Sequence, residues 1–417
     1  DILRSFCVLA IKKFGLSFYS SIKNETLNDY LLKSIFEVNQ KKIIDNKSVA
    51  VNIIKENFKD FNKHNLIFNQ FKNTELDSQN PLNIDLLSNL LFNMKVSDRD
   101  LSWTEYIRSN NFVRDNEYKK FLNGFEVACK SKTKFKTDKV HLAAKKTMWF
   151  LTSTNREFRD LSTRALYYYG QKYPDKFLEL VLYSLSINDP YVWERTLAAM
   201  YGVVMAKHST DDNFKKLFLP RIALTIFESI FKKEAPFSTT HILARDYASK
   251  TIEIGLLHHN DLLKPEEVLL TTAPFTIGGN RNPNEFDHEK EEGIFSEPIS
   301  MDFSNYTIGR IVEGGHSYSD PPEKKKVRRQ IYARIYELGW NEAEFNDIDG
   351  RIRSQGYRSR TEQAHTERYG KKYSWIAYFE IAGLRIDNKL IEDNWDRFRF
   401  SDADIDPSFP ERAKNKK

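Results

Sequence analysis

The sequence is short of the residues that make turns. Its 417 residues hold 16 glycines and 13 prolines, well below the roughly 12% that average chains carry. A β-sandwich or barrel needs a turn signal about every 8–12 residues, so an all-β fold is excluded. Two cysteines, Cys7 and Cys129, exclude a disulfide framework and point to reduced thiols. No Cys/His group has zinc-ligand spacing. No run of about 18 apolar residues is present to span a membrane, and the start lacks the order of a signal peptide. A P-loop is missing too: Gly370-Lys371 would need a glycine at position 365, which is His365. The net charge of +6 is modest for this length and does not imply nucleic acid by itself.

What is present is apolar and helical. Hydrophobic residues make up 40% and aromatics 13%, enough to build a core and to exclude disorder throughout. In residues 1–95, Leu31, Ile35 and Val38 recur at helical spacing. Pro81, in Asn80-Pro81-Leu82-Asn83, suits the first turn of a helix through Leu86, Leu87, Leu90 and Leu91. Trp103 and Ile107 are spaced to share one buried face, and residues 131–139 read as a polar, basic loop.

The clearest pattern lies at 141–262. Helices are predicted near 141–152, 160–171, 176–187, 190–207, 213–232 and 241–258. Phe177, Leu180, Val181 and Ser184 form an i, i+3, i+4, i+7 stripe. Asp189-Pro190 is a stop and restart, with Asp as cap and Pro at the first helical position. Helices joined by short turns imply an all-α fold: an irregular α-solenoid of stacked helical hairpins, TPR- or HEAT-like, with a C-terminal helical domain. Composition divides it into helical repeats at 1–95, a HEAT-like array at 96–265, and 266–417, where a long loop precedes a basic helical domain. The chain opens Asp1-Ile2-Leu3 and reads as a piece of a longer protein.

No catalytic constellation emerges. Gly278-Gly279 and Gly314-Gly315 read as turns, and His258-His259 as a polar helix end. The acidic stretch 285–292 lacks calcium-loop spacing. Asp347 and Asp349 look like capping residues at a helix end. One electrostatic signal stands out. Residues 324–372 carry 13 Lys and Arg against 7 Asp and Glu, with Tyr332, Tyr336, Tyr357, Tyr369 and Tyr373 interleaved. A basic, aromatic segment is a footprint for an acidic protein face or for nucleic acid; a solvated helix face is the plainer reading. The candidate partner contacts are Lys325, Arg328, Arg358, Arg360, Arg368, Lys371 and Lys372.

Four ordered stretches carry a resemblance. They are Asn80–Asn83 with Ser97-Asp98-Arg99-Asp100; Trp149–Asp160; Asn188–Arg195 with Ala198–Gly202; and Glu367–Ala377 followed by Asp404-Ile405-Asp406-Pro407. Within them Asn155, Arg156, Arg159, Asp160, Asp189, Pro190 and Trp375 are taken as motif residues that mark the fold. Together the stretches resemble the C-terminal helical region of bacterial antiviral STAND NTPases, the Avs family. The resemblance implies a cytoplasmic bacterial sensor that binds a phage protein, of the large terminase or portal type. Binding then drives tetramer-like self-oligomerisation and effector activation. It also implies that ATP and Mg²⁺ belong to an upstream ATPase domain, with no enzyme activity or cofactor in this region. The alternative expectation is nucleic-acid binding through 324–372.

Overall fold

Capping residues decide where the helices begin. The computed structural model describes residues 2–21, 24–38, 43, 46–111, 117–131, 137–275, 297–300, 302–315, 318–358 and 366–391; of these, the side chains of 20, 21, 110, 111 and 355–358 are not described. The fold is all-α, a helical-repeat arrangement in which helices pack on their chain neighbours, and no strand occurs among the described residues. The chain divides into two compact units, Asp1–Phe150 and Leu151–Lys417.

The first unit contains α1 (Ile2–Phe14), α2 (Glu25–Ile35), α3 (Lys47–Asn57), α4 (His64–Phe71), α5 (Ile84–Phe92), α6 (Glu105–Asn111), α7 (Glu117–Lys130) and α8 (Thr137–Trp149). Helix α2 packs on α1, α3 and α4, and α8 packs on α5 and α7. Helix α5 starts later than Pro81 suggests. Asn83 is its cap, accepting from the Asp85 N–H at 2.9 Å, and Pro81 lies in the preceding bend. An Asn cap satisfies an orphan helix donor, so it outcompetes proline, whose fixed φ serves a bend equally well. The core here joins distant segments. The Trp149 indole donates to Ser88 at 2.6 Å, and its carbonyl accepts from Trp103 at 3.1 Å. Arg99 is completely buried and donates to the Leu91 carbonyl at 3.0 Å, at the C-terminal end of α5, where a cation suits the helix dipole. These contacts run straight across the boundary at 95/96 that composition suggested. The segment expected as a loop at 131–139 is helical from Thr137.

The second unit contains α9 (Arg156–Lys172), α10 (Pro174–Leu185), α11 (Pro190–Lys207), α12 (Leu219–Ile226), α13 (Ile242–His258), α14 (Pro322–Glu337), α15 (Glu342–Arg358) and α16 (Tyr369–Asp387). Helices α9, α10 and α11 pack mutually, α11 packs on α13, and α12 on α13. The stripe of Phe177, Leu180, Val181 and Ser184 is buried as its spacing predicts. Phe214–Phe218 and Phe227–Phe231 flank α12 as π-helical turns, so the helix expected at 213–232 is one continuous run that contains two π-helical turns.

Helix α16 packs on α14 and α15 and also on α13. The expected boundary at 265/266 is therefore bridged by α16. The approach is close: a Cβ at Gly383 would meet the Thr240 carbonyl oxygen at 1.8 Å, so only glycine lets the two backbones meet there. Asp349 lies inside α15, not at a helix end. It caps all the same, but caps another helix: its carboxylate accepts from the Tyr369 N–H at 2.6 Å and the Gly370 N–H at 2.8 Å, at the start of α16. Burial raises its pKa, and the two backbone donors oppose that.

Candidate functional site

Three of the four resembling stretches meet in one buried cluster of the second unit. Asn155 caps α9, accepting from the Phe158 N–H at 2.9 Å. Its amide donates to Thr366 at 3.2 Å, and the Glu367 N–H donates to the Thr154 carbonyl at 2.9 Å. A single antiparallel bridge, Asn155 to Thr366, thus ties residues more than two hundred positions apart. Arg159 extends the tie. It donates to the Ser153 carbonyl at 2.6 Å and to Glu367 at 3.1 Å, and its guanidinium lies 4.6 Å from the centre of the Tyr191 ring. The Tyr191 hydroxyl donates to the same Glu367 carboxylate at 3.3 Å, and burial holds its pKa well above the usual tyrosine value.

Beside this lies a fully buried ion pair. The Lys372 ammonium is 2.8 Å from Asp189 and 3.3 Å from the Thr152 carbonyl, and neither side chain of the pair touches solvent. Asp189 uses its other oxygen to cap α11, accepting from Tyr191 N–H at 3.1 Å, with Pro190 in the first turn. Asp160 pairs with Arg195 at 2.9 Å and lies 3.9 Å from Arg156. Glu194 lies 3.7 Å from Arg195 and 3.5 Å from His241. His241 caps α13 and is completely buried among Trp193 and Phe379. Burial pushes its pKa down to about 3, so the imidazole is neutral at pH 7.

The seven candidate partner contacts separate. Lys325 and Lys371 are exposed. Lys372 is not a surface residue. It sits three residues after Tyr369 and four before Ile376, on the inward face of α16, and its charge is spent on Asp189. Arg328 is buried as well, donating to Ser304 at 3.0 Å and pairing with Asp320 at 2.5 Å. Arg368 pairs with Glu297 at 2.6 Å. The Arg358 side chain and Arg360 lie outside the described residues, as do Gly278-Gly279, the stretch 285–292 and Asp404–Pro407. Tyr332, Tyr369 and Tyr373 are fully buried, so these interleaved aromatics are core and not a stacking surface. Trp375 packs on Phe303, ring centres 5.0 Å apart, and on Phe379 at 5.4 Å.

Sequence reading missed His241 and the ion pair in which one guanidinium nitrogen of Arg245 donates to both Asp387 oxygens, at 2.7 and 2.9 Å. The run Ser238-Thr239-Thr240-His241 before the apolar period of α13 was a usable cap signal; the Arg245 pair left none. His258 and His259 do sit at a helix end. His258 faces His208 at 3.0 Å, and His259 meets the Lys215 carbonyl at 2.8 Å. Among the described residues no group of three or more His, Cys, Asp or Glu is arranged to hold a metal, and no helix is long and apolar enough to cross a membrane. Chemically, the cluster works as a clasp: cations, carboxylates and backbone carbonyls close on one another. Comparison with protein-family models, curated proteins and solved structures finds no match to the chain.

Proposed function

We propose that this chain is a target-recognition module, the helical sensor region of an antiviral STAND NTPase, which binds a phage protein of the large terminase or portal type. One observation supports the reading most. The stretches at 149–160, 188–195 and 367–377 that carry the resemblance are far apart in sequence yet converge on one clasp. Motifs that meet in this way specify a fold, which leaves recognition to exposed faces. A helical array offers the roughly 1,200–2,000 Å² that a specific protein interface needs. In the parent protein, target binding would drive self-oligomerisation and effector activation, with ATP and Mg²⁺ held upstream, in the bacterial cytoplasm.

The test is direct binding of the purified chain to purified large terminase subunits and portal proteins, by biolayer interferometry at two salt concentrations. The expected result is saturable binding to one protein class. The variant Lys325→Glu with Lys371→Glu, which changes only exposed side chains, is expected to slow association with an acidic face and leave the helical content unchanged. Absence of saturable binding to either class would overturn the reading. The alternative is nucleic-acid binding through 324–372, where Lys325, Lys326 and Lys371 are exposed. It predicts binding to duplex DNA whose log affinity falls with log salt at about 0.9 per phosphate neutralised.

A further inference from the structure

The first unit holds a groove of about 640 Å³ that the reading above does not use. It is bordered by the end of α3, the start of α4 and the end of α5. Its volume falls within the roughly 300–1,000 Å³ of sites that take small ligands or a few side chains. Phe58 and Leu90 line it and are buried; Met94 is half-buried, and Phe61 leaves half of its ring surface in solvent. Phe61 thus presents a half-exposed phenyl at the edge of the apolar lining. Its lining carries three exposed lysines, Lys55, Lys59 and Lys95, and one carboxylate, Asp98, with Asp60 also close to His64. Lys59 shares its charge with Glu56 at 2.7 Å, while Lys55 and Lys95 make no ion pair among the described residues.

His64, also lining the groove, adds a polar element. Its Nε2–H donates to the Phe58 carbonyl at 2.8 Å, and the ring stacks on Phe58 with centres 4.2 Å apart. Nδ1 is buried with no hydrogen-bond partner. A buried acceptor left open is costly unless something occupies it.

We infer that this groove docks an acidic peptide segment of a protein partner, whose Leu or Phe side chain enters between Phe58, Phe61, Leu90 and Met94 while its carboxylates meet Lys55 and Lys95. The apolar lining selects a bulky side chain, the lysine ring selects negative charge, and the two together reject a basic or a purely polar chain. The site belongs to the first unit alone and does not depend on the sensor reading.

The chain has five methionines, of which Met94 alone lines this groove, so methyl-labelled methionine gives a local reporter. The probe is a short amidated peptide in which glutamates alternate with leucine and phenylalanine. It is titrated alongside a peptide of glutamates only, one with lysine for glutamate, and a single-stranded DNA oligomer. The expected result is a saturable shift of the Met94 methyl, assigned by Met94→Leu, with the mixed acidic peptide alone. Lys55→Glu with Lys95→Glu, and separately Phe61→Ser, are expected to weaken it at least about tenfold. Both changes fall on exposed side chains, so unchanged signals from the other methionines certify the fold. No Met94 shift with the mixed peptide overturns the proposal. So does an equal shift with the lysine peptide, or a shift with DNA in place of peptide.

Discussion

Removing Lys372 tests the clasp most severely. Lys372→Met keeps length and volume but leaves the Asp189 carboxylate buried without its countercharge, the Tyr191 N–H still donating to it. Breaking a buried ion pair from one side costs about 3–5 kcal/mol, because the remaining charge is stranded away from water. Asp189→Asn strands the Lys372 ammonium instead and is expected to cost a similar amount, although asparagine still caps α11. The double variant strands nothing. Its cost is expected to fall well below the sum of the two, since a buried pair is often close to neutral against an uncharged replacement. The coupling energy, the two single costs less that of the double, is therefore expected to exceed about 3 kcal/mol. The assay is native-state hydrogen exchange on the intact chain, reading the opening free energy of amides in α9 and α11, with urea midpoints as support. The thermodynamic cycle decides the matter. If each single variant costs under about 0.5 kcal/mol, or the two costs simply add, Lys372 and Asp189 do not hold these helices together, and the reassignment of Lys372 from surface contact to clasp is refuted.

Three further outcomes are expected. Gly383→Ala places a methyl where the Thr240 oxygen lies 1.8 Å away; the helix must move, at a cost of about 1–3 kcal/mol, seen as a lower urea midpoint and faster exchange in α13 and α16. Asn155→Ala removes a cap and the Thr366 contact and is expected to cost about 1–2 kcal/mol, whereas Asn155→Asp, which keeps the cap, is expected to cost less. The pKa of His241 is near 3 when folded against 6.5 in the unfolded chain. Below pH 6.5 the unfolded state binds the extra proton, so its contribution is present above that pH and is lost as pH falls towards 3. Between pH 7 and pH 5 this loss is about 2 kcal/mol. His241→Asn, which can still cap, is expected to flatten the urea-midpoint profile by that amount, and a profile parallel to the parent's would refute the assignment.

Much of the local structure was legible because its causes are local. Asp189-Pro190 announces a helix start by itself, since cap and fixed φ act within three residues. The stripe from Phe177 to Ser184 needs only the 3.6-residue period to locate its buried face. The all-helical class followed from the scarcity of glycine and proline and the spacing of apolar residues. The candidate contacts were less legible. Lys371 and Lys372 are chemically identical in a sequence, yet one is exposed and the other completely buried. Position on α16 separates them, and the carboxylate that receives Lys372 is 183 residues away. Asp349 looked like a cap and is one, but for a helix that starts twenty residues later. Pro81 carried a valid start signal and lost to the Asn83 cap two residues on.

Sequence alone determined that the chain is helical, where most helices begin and which faces turn inward, because hydrogen-bond capping and helical periodicity act over a few residues. Only the tertiary structure decided which charges are available to a partner. A lysine or arginine keeps or loses its surface role according to whether a distant carboxylate and a few carbonyls surround it, and that desolvation is a property of packed helices, not of neighbouring letters.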